Sequence, residues 1–208
     1  LWAKEMIRKS MQRIGIRTLY GILLHRSNDL LGKNGYKLIK ILNRLKLNGI
    51  VKKIGISIYD PSEIDNVINL IDIDIVQAPL NIMDRRLETS GWLNKLHKQN
   101  IEIHTRSTFL QGLLLLNHNN IPSKFSKWKN LFERWFFELK KNKLSPLQVC
   151  LSYPLSLKEI DKVIVGVNSA KQLVDIIKLS KLKKINQDFS FMSSNDENLL
   201  NPYNWKNL

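Results

Sequence analysis

Short apolar runs that stop abruptly on a polar side chain recur along this chain. Leu19-Tyr20-Gly21-Ile22-Leu23-Leu24 stops on His25, and Ile50-Val51-Lys52-Lys53-Ile54-Gly55-Ile56 on Ser57. Ile73-Asp74-Ile75-Val76 stops on Gln77, and Ile101-Glu102-Ile103-His104-Thr105 on Arg106. Lys162-Val163-Ile164-Val165-Gly166 is a further run. Bounded by turn residues, such runs predict strands buried on both faces, as in parallel sheets under helices.

Between the runs, apolar residues recur at helical spacing. Leu38, Ile41, Leu42 and Leu45 precede Gly49, and Ile64, Val67 and Ile68 follow Asp60-Pro61, a cap with proline at the first helical position. A helix is predicted over 87–99, and another on the aromatic stripe Trp128, Leu131, Phe132, Trp135, Phe136 and Leu139. Ser145-Pro146 opens a helix through Val149 and Leu151, and Ser169 caps one holding Leu173, Ile176 and Ile177. The chain starts within a helical stripe (Trp2, Met6, Ile7, Met11, Ile14) that Gly15 stops, so it reads as the later part of a longer protein. From Gln187 onward the chain is polar, and Pro202-Tyr203-Asn204-Trp205 is expected to dock on the body.

Strand–helix repeats of this kind predict an α/β fold with a parallel sheet, either doubly wound or a barrel. In both, ligands bind at the carboxyl ends of the strands. His25, Ser57, Gln77 and Arg106 would all stand on that rim.

At 208 residues one domain spanning 1–208 is expected, with 187–208 as its tail. The single cysteine, Cys150, excludes a disulfide framework, and no apolar run is long enough to cross a bilayer. The cytoplasm is the expected location, with no membrane partner. A formal net charge of +15 raises the question of nucleic acid. The lysines are scattered, however, through Lys33, Lys46, Lys52, Lys95, Lys129, Lys158 and Lys178. The two short runs, Lys140-Lys141-Asn142-Lys143 and Lys181-Leu182-Lys183-Lys184, lie near predicted helix C-termini, where cations suit the dipole. No nucleic-acid partner is expected, and no metal-ligating set stands out.

Leu23-Leu24-His25-Arg26 resembles the strand that carries the catalytic histidine of the aldo/keto reductases. Ile54-Gly55-Ile56-Ser57, Ile75-Val76-Gln77-Ala78-Pro79-Leu80-Asn81, and Arg106-Ser107-Thr108-Phe109-Leu110-Gln111-Gly112-Leu113-Leu114 resemble successive motifs of that family. Val163-Ile164-Val165-Gly166-Val167-Asn168-Ser169-Ala170-Lys171-Gln172-Leu173 is similar to its last strand and cofactor-binding helix start. The likeness runs in order over nearly the whole chain.

The resemblance implies roughly the last five strand–helix units of a (β/α)8 TIM barrel, from an NAD(P)H-dependent oxidoreductase that reduces an aldehyde or ketone to an alcohol. NADP is the expected cofactor, with NAD as the alternative. A small-molecule carbonyl is the expected substrate; oligomeric state is left open. In the family, hydride passes from nicotinamide C4 to the carbonyl carbon, a tyrosine supplies the proton, and the histidine hydrogen-bonds the substrate oxygen. His25 is the one member of the catalytic tetrad expected here; the Asp, Tyr and Lys belong to earlier strands, so the chain alone is expected to be inactive. Tyr20 lies five residues before His25, roughly 16 Å away along a strand and on the opposite face, and nothing in the sequence aims Tyr36 or Tyr59 at His25.

By position, Ser57 and Gln77 would hold the nicotinamide carboxamide, and Arg106 would stack where the family often has tyrosine. Ser107, Phe109 and Gln111 would line the pyrophosphate. Asn168 and Ser169 would take the adenosine phosphate through backbone N–H groups. Gln172 stands near where many members carry an arginine for the 2′-phosphate, and Ile176 where many carry asparagine, which puts the NADP preference in question. His97, His104 and His118 read as structural or exposed.

Overall fold

The computed structural model describes residues 2–182 and 185–208, and side chains from Lys4 onward. The part of Trp2 in the first apolar stripe and the Lys183-Lys184 end of the second lysine run lie outside that description. Strands β1 (Leu19–Leu24), β2 (Val51–Ser57), β3 (Ile75–Pro79), β4 (Glu102–Arg106) and β5 (Lys162–Val163) form one parallel sheet in chain order. Helices α1 (Trp2–Ile14), α2 (Gly35–Leu47), α3 (Ser62–Val67), α4 (Arg86–Thr89) and α5 (Trp92–Lys98) precede or connect the first four strands. Helices α6 (Lys129–Lys141) and α7 (Pro146–Ser156) fill the excursion before β5, and α8 (Ala170–Ser180) and α9 (Glu197–Leu200) follow it. A doubly wound sheet reverses its strand order at a switch point. The unreversed order here is that of a barrel wall, with β1 and β5 as its edges.

Strand periodicity sorts the wall into two faces. Ile54, Ile56, Val76, Ala78 and Ile103 turn toward the helices and pack with Leu42, Ile64, Val67, Leu87, Leu93 and Leu96. The alternate positions carry Lys53, Ser57, Gln77, Glu102, His104 and Arg106. The expectation of strands buried on both faces holds for β2 from Ile54 to Ser57, for β3 except Gln77 and for the middle of β4, and fails for β1. The inner face mixes these polar side chains with buried Val51, Gly55, Ile75 and Pro79, and β1 is only half-buried. Near the amino end of that face, Lys53 Nζ donates to Glu102 at 2.6 Å, Tyr20 donates its hydroxyl to the same carboxylate, and His104 Nε2 lies 3.2 Å from it. Burial works to raise the Glu102 pKa, but these partners outweigh it and hold the carboxyl down at about 2.

Several boundaries differ from the sequence expectation. β3 starts at Ile75, two residues late; the Asp74 carboxylate accepts from Ile54 N at 2.8 Å and from Lys46 Nζ, while the Asp74 backbone still bonds to both neighbouring strands. β3 runs on to Pro79, so Gln77 sits mid-strand. The helix expected over 87–99 splits into α4 and α5 at Ser90-Gly91, where Gly91 takes φ +81. β5 closes after Val163, well short of Gly166. Of the three apolar residues assigned to α8, Ile176 is buried, while Leu173 and Ile177 are exposed.

The excursion builds a second core. Phe132, Trp135 and Leu139 of α6 and Val149 and Cys150 of α7 pack with Leu110, Leu113, Leu114 and Phe125. A capping box starts α7, with Ser145 Oγ accepting from Gln148 N and the Gln148 side chain accepting from Ser145 N. The tail docks as expected, but it is more than a polar strap: Phe189, Met192, Leu199 and Leu200 are buried in this core, and Trp205 meets Phe125 edge-on at 5.0 Å.

Candidate functional site

The carboxyl ends of β1, β2 and β4 converge on one aromatic ring. His25, the first residue beyond β1, is exposed, with its ring edge-on to Tyr59 at 6.4 Å between centroids and 76° between planes. On another side of Tyr59 the Arg106 guanidinium lies 4.6 Å from the ring centroid. Arg106 also donates to Ile58 O at 2.9 Å and to Ser107 Oγ at 3.2 Å. Burial lowers the Arg106 pKa, countered by Tyr59, Asp84 and Glu63. Tyr59, set aside on sequence as not aimed at His25, is in fact the rim residue that meets it. Its signal was its position two residues beyond Ser57, on the strand that pairs directly with the strand of His25.

The two loops carrying His25 and Tyr59 are tied together. Glu63 accepts from Tyr59 N at 2.7 Å and Asp60 N at 2.9 Å, and Ser27, fully buried just past His25, donates its hydroxyl to the same carboxylate. Asp60 caps α3 from two residues before its start by accepting from Ser62 N at 2.9 Å. From below, Arg86 grips Asp84 through Nε at 2.9 Å and an η-nitrogen at 2.8 Å, reaches Asp60 at 2.7 Å, and donates to Tyr59 O at 3.2 Å.

Ser57 and Gln77 are direct register partners, and Ser57 Oγ donates to Gln77 Oε1 at 3.4 Å. Both open toward the inner face beside the Arg106 end of β4. Beyond them the chain enters a tight loop. Ser107, Leu110 and Gln111 take φ of 62, 45 and 53°, followed by Gly112 at 86°. Asn81, completely buried, fixes this loop by donating Nδ2 to Ser107 O at 3.0 Å while its Oδ1 accepts from Met83 N and Asp84 N.

Ser107, Phe109 and Gln111 line a groove of about 500 Å³, within the range of small-molecule sites. Its far wall is Ile164, Asn168, Gln172 and Ile176. Ser169 caps α8 by accepting from Gln172 N at 3.2 Å, and Gln172 Oε1 accepts from Asn168 N at 2.8 Å, which rigidifies the turn into the helix. Thr108, 2% exposed, lines the same groove, and its hydroxyl has no partner among the described residues. The structure thus brings the nominated residues into two sets: His25, Ser57, Gln77 and Arg106 at the rim, and Phe109, Gln111, Asn168 and Gln172 along the groove. Ser107 belongs to both, and Ser169 stands at the groove's helical end.

His97 and His118 are exposed, the latter paired with Glu133 at 2.8 Å, and His104 is held by Glu102. Among the described residues no cluster of His, Cys, Asp or Glu could hold a metal, and no helix is long and apolar enough to cross a membrane.

Comparison with known proteins agrees with the fold. The chain is 24% identical over 196 residues to "Uncharacterized oxidoreductase YqkF" of Bacillus subtilis (strain 168), covering 90% of this chain and 63% of that protein. The apo form of aldo-keto reductase AKR11C1 from Bacillus halodurans superposes with a TM-score of 0.74 at 19% identity, over 91% of this chain and 65% of that one. Its holo form gives 0.71 at 18% identity, over 91% and 64%. The chain therefore spans less than two thirds of the length of these relatives. The family model of the aldo/keto reductases matches residues 2–196, and the chain belongs to the aldo/keto reductase family.

Proposed function

We propose that this chain supplies the cofactor groove and the substrate-facing histidine of a nicotinamide-dependent oxidoreductase that reduces a small aldehyde or ketone to an alcohol. The observation that carries the reading is the continuity of rim and groove through Ser107. The groove's lining runs from Ser107 to Asn168 and Gln172 at the start of α8, and Arg106, donating to Ser107 Oγ, stands between that groove and the His25–Tyr59 pair.

When bound, the dinucleotide supplies a hydride to the carbonyl carbon. The chain's own groups do the rest. Ser57 and Gln77 would hold the carboxamide, and the Arg106 plane offers a stacking surface beside it. Ser107, Phe109 and Gln111 would line the pyrophosphate, and the amides at the start of α8, next to Asn168 and Ser169, would take an adenosine phosphate. The exposed His25 would donate a hydrogen bond to the carbonyl oxygen as negative charge develops there. Among the described residues no Asp–Tyr–Lys set accompanies His25 at the rim. The proton donor in this proposal comes from outside these 208 residues, and the chain alone, with β1 and β5 as open edges, does not turn over. That same lack of a donor favours a second reading, a barrel that binds the cofactor without reducing anything.

Ser169→Asp tests the placement. Aspartate caps helices as well as serine does, so the fold should hold, while a carboxylate is set against the phosphate. Fluorescence titration with NADH and NADPH should show binding weakened roughly tenfold. Unchanged dissociation constants for both would refute the placement.

A further inference from the structure

A second hollow lies away from the groove and shares no lining residue with it. It encloses about 220 Å³ between the 118–126 segment and α6. Its floor is aromatic: Phe125 and Phe132 are buried and meet edge-on at 6.4 Å and 69°. Its mouth carries the titratable groups of the lining, His118, Lys129 and Glu133, all exposed. The His118 ring stands edge-on to Phe136, 5.1 Å between centroids and 73° between planes. Glu133 is the acid nearest Lys129 along α6, one turn on, but its carboxylate is taken by His118 Nε2 at 2.8 Å. Lys129 makes no ion pair among the described residues.

From this arrangement we infer that the hollow binds a single-ring aromatic carboxylate, its ring inward among Phe125, Phe132 and Phe136 and its carboxylate outward against Lys129. The site is separate from the dinucleotide groove and does not depend on that reading.

Size and charge argue for this ligand. An apolar cavity of roughly 150 Å³ takes up benzene, so 220 Å³ admits one six-membered ring with a small substituent. A further ring can join phenylalanines that already pack edge-on, the arrangement that ring quadrupoles favour. With His118 protonated, its charge cancels that of Glu133, and Lys129 leaves one positive charge at the mouth. With His118 neutral, Glu133 offsets Lys129 and the attraction for an anion disappears. Hydrogen bonds from Glu133 and Asn119 raise the His118 pKa, with Lys129 opposing them. Ser123 and Ser126, which line the hollow from the turn before α6, carry no charge. Lys124 and Lys127 of that turn are engaged by Trp205 O at 2.9 Å and by Asp196 at 2.8 Å.

The test measures binding. Sodium benzoate is titrated into the 208-residue chain by ligand-observed NMR at about pH 6 and about pH 8, either side of the ordinary histidine value. The expected result is saturable binding at the lower pH with a dissociation constant of about 1 mM. At the higher pH it should weaken about fivefold, the worth of one unit charge at a solvated site. Lys129→Glu should weaken it by more than about tenfold, since it replaces an attraction with a repulsion. His118→Gln, which can still hydrogen-bond Glu133, should bind weakly at both pH values and lose the pH dependence. Both positions are exposed, and melting curves confirm that the variants fold. Benzylammonium, with the same ring and the opposite charge, should not bind. No saturable binding of benzoate, affinity that rises with pH, binding unmoved by Lys129→Glu, or benzylammonium held as tightly as benzoate would overturn the inference.

Discussion

Replacing Arg86 with methionine isolates the contact that holds the rim from beneath. The guanidinium satisfies both oxygens of Asp84, whose side chain is 1% exposed, and also reaches Asp60 and the carbonyl of Tyr59. Methionine keeps much of the volume and removes the charge, leaving a buried carboxylate alone. Breaking a buried pair from one side costs about 3–5 kcal/mol, because the orphaned charge has lost its water and gained nothing. Asp60 and Glu197 are more exposed, so their share is small and the lower half of that range applies. For a chain of this size, about 3–4 kcal/mol corresponds to a melting point lower by roughly 6–16 °C. Urea denaturation gives the free energy and a thermal scan the melting point. The double variant Arg86→Met/Asp84→Asn should recover at least half the loss, since it removes the stranded charge. A single-variant loss below about 1 kcal/mol, or no recovery in the double variant, would refute the reasoning.

The acid limb of the stability profile should depend on Glu102. Its folded pKa of about 2 lies below the usual 4.5, so its stabilising contribution is complete above 4.5 and disappears as pH falls toward 2. Glu102→Gln should flatten the profile in that window; parallel profiles for variant and wild type would contradict the assignment. His25→Ala, assayed in the longest form of the protein that turns over a carbonyl, should slow single-turnover hydride transfer by about a hundredfold, the scale of one positioned acid–base partner. Cofactor affinity and melting point should hardly move. A normal transfer rate with a lowered melting point would make His25 a structural residue.

Periodicity located every strand and the faces of α2 and α6, because burial against helices imposes a pattern that local sequence must obey. It failed where one residue answers to a distant partner. The Asp74 carboxylate, just before β3, answers to Lys46 and Ile54 N, and nothing near Asp74 in the sequence announces them. Gly91 breaks the 87–99 helix although the apolar spacing continues through it. Phe189, Met192, Leu199 and Leu200 are spaced irregularly, so their burial left no periodic trace. At the site, strand-end polarity was enough to nominate His25, Ser57 and Arg106. Tyr59 went unnominated because a loop side chain is aimed by hydrogen bonds, here those of Glu63 and Arg86 to its backbone.

The loop from Ser107 to Gly112 has a consequence for how this surface can diversify. Three non-glycine residues there sit in left-handed backbone geometry, each at a cost of about 1–3 kcal/mol, compensated by the burial of Leu110 and the grip of Asn81. That cost is met on folding, so a ligand finds peptide groups already aimed and loses little freedom in ordering them. Shape is thereby assigned to the main chain and to two anchors that no ligand touches. The outward side chains at positions 107, 109 and 111 are then open to exchange, and lineages could retune what the groove prefers without re-solving how to build it.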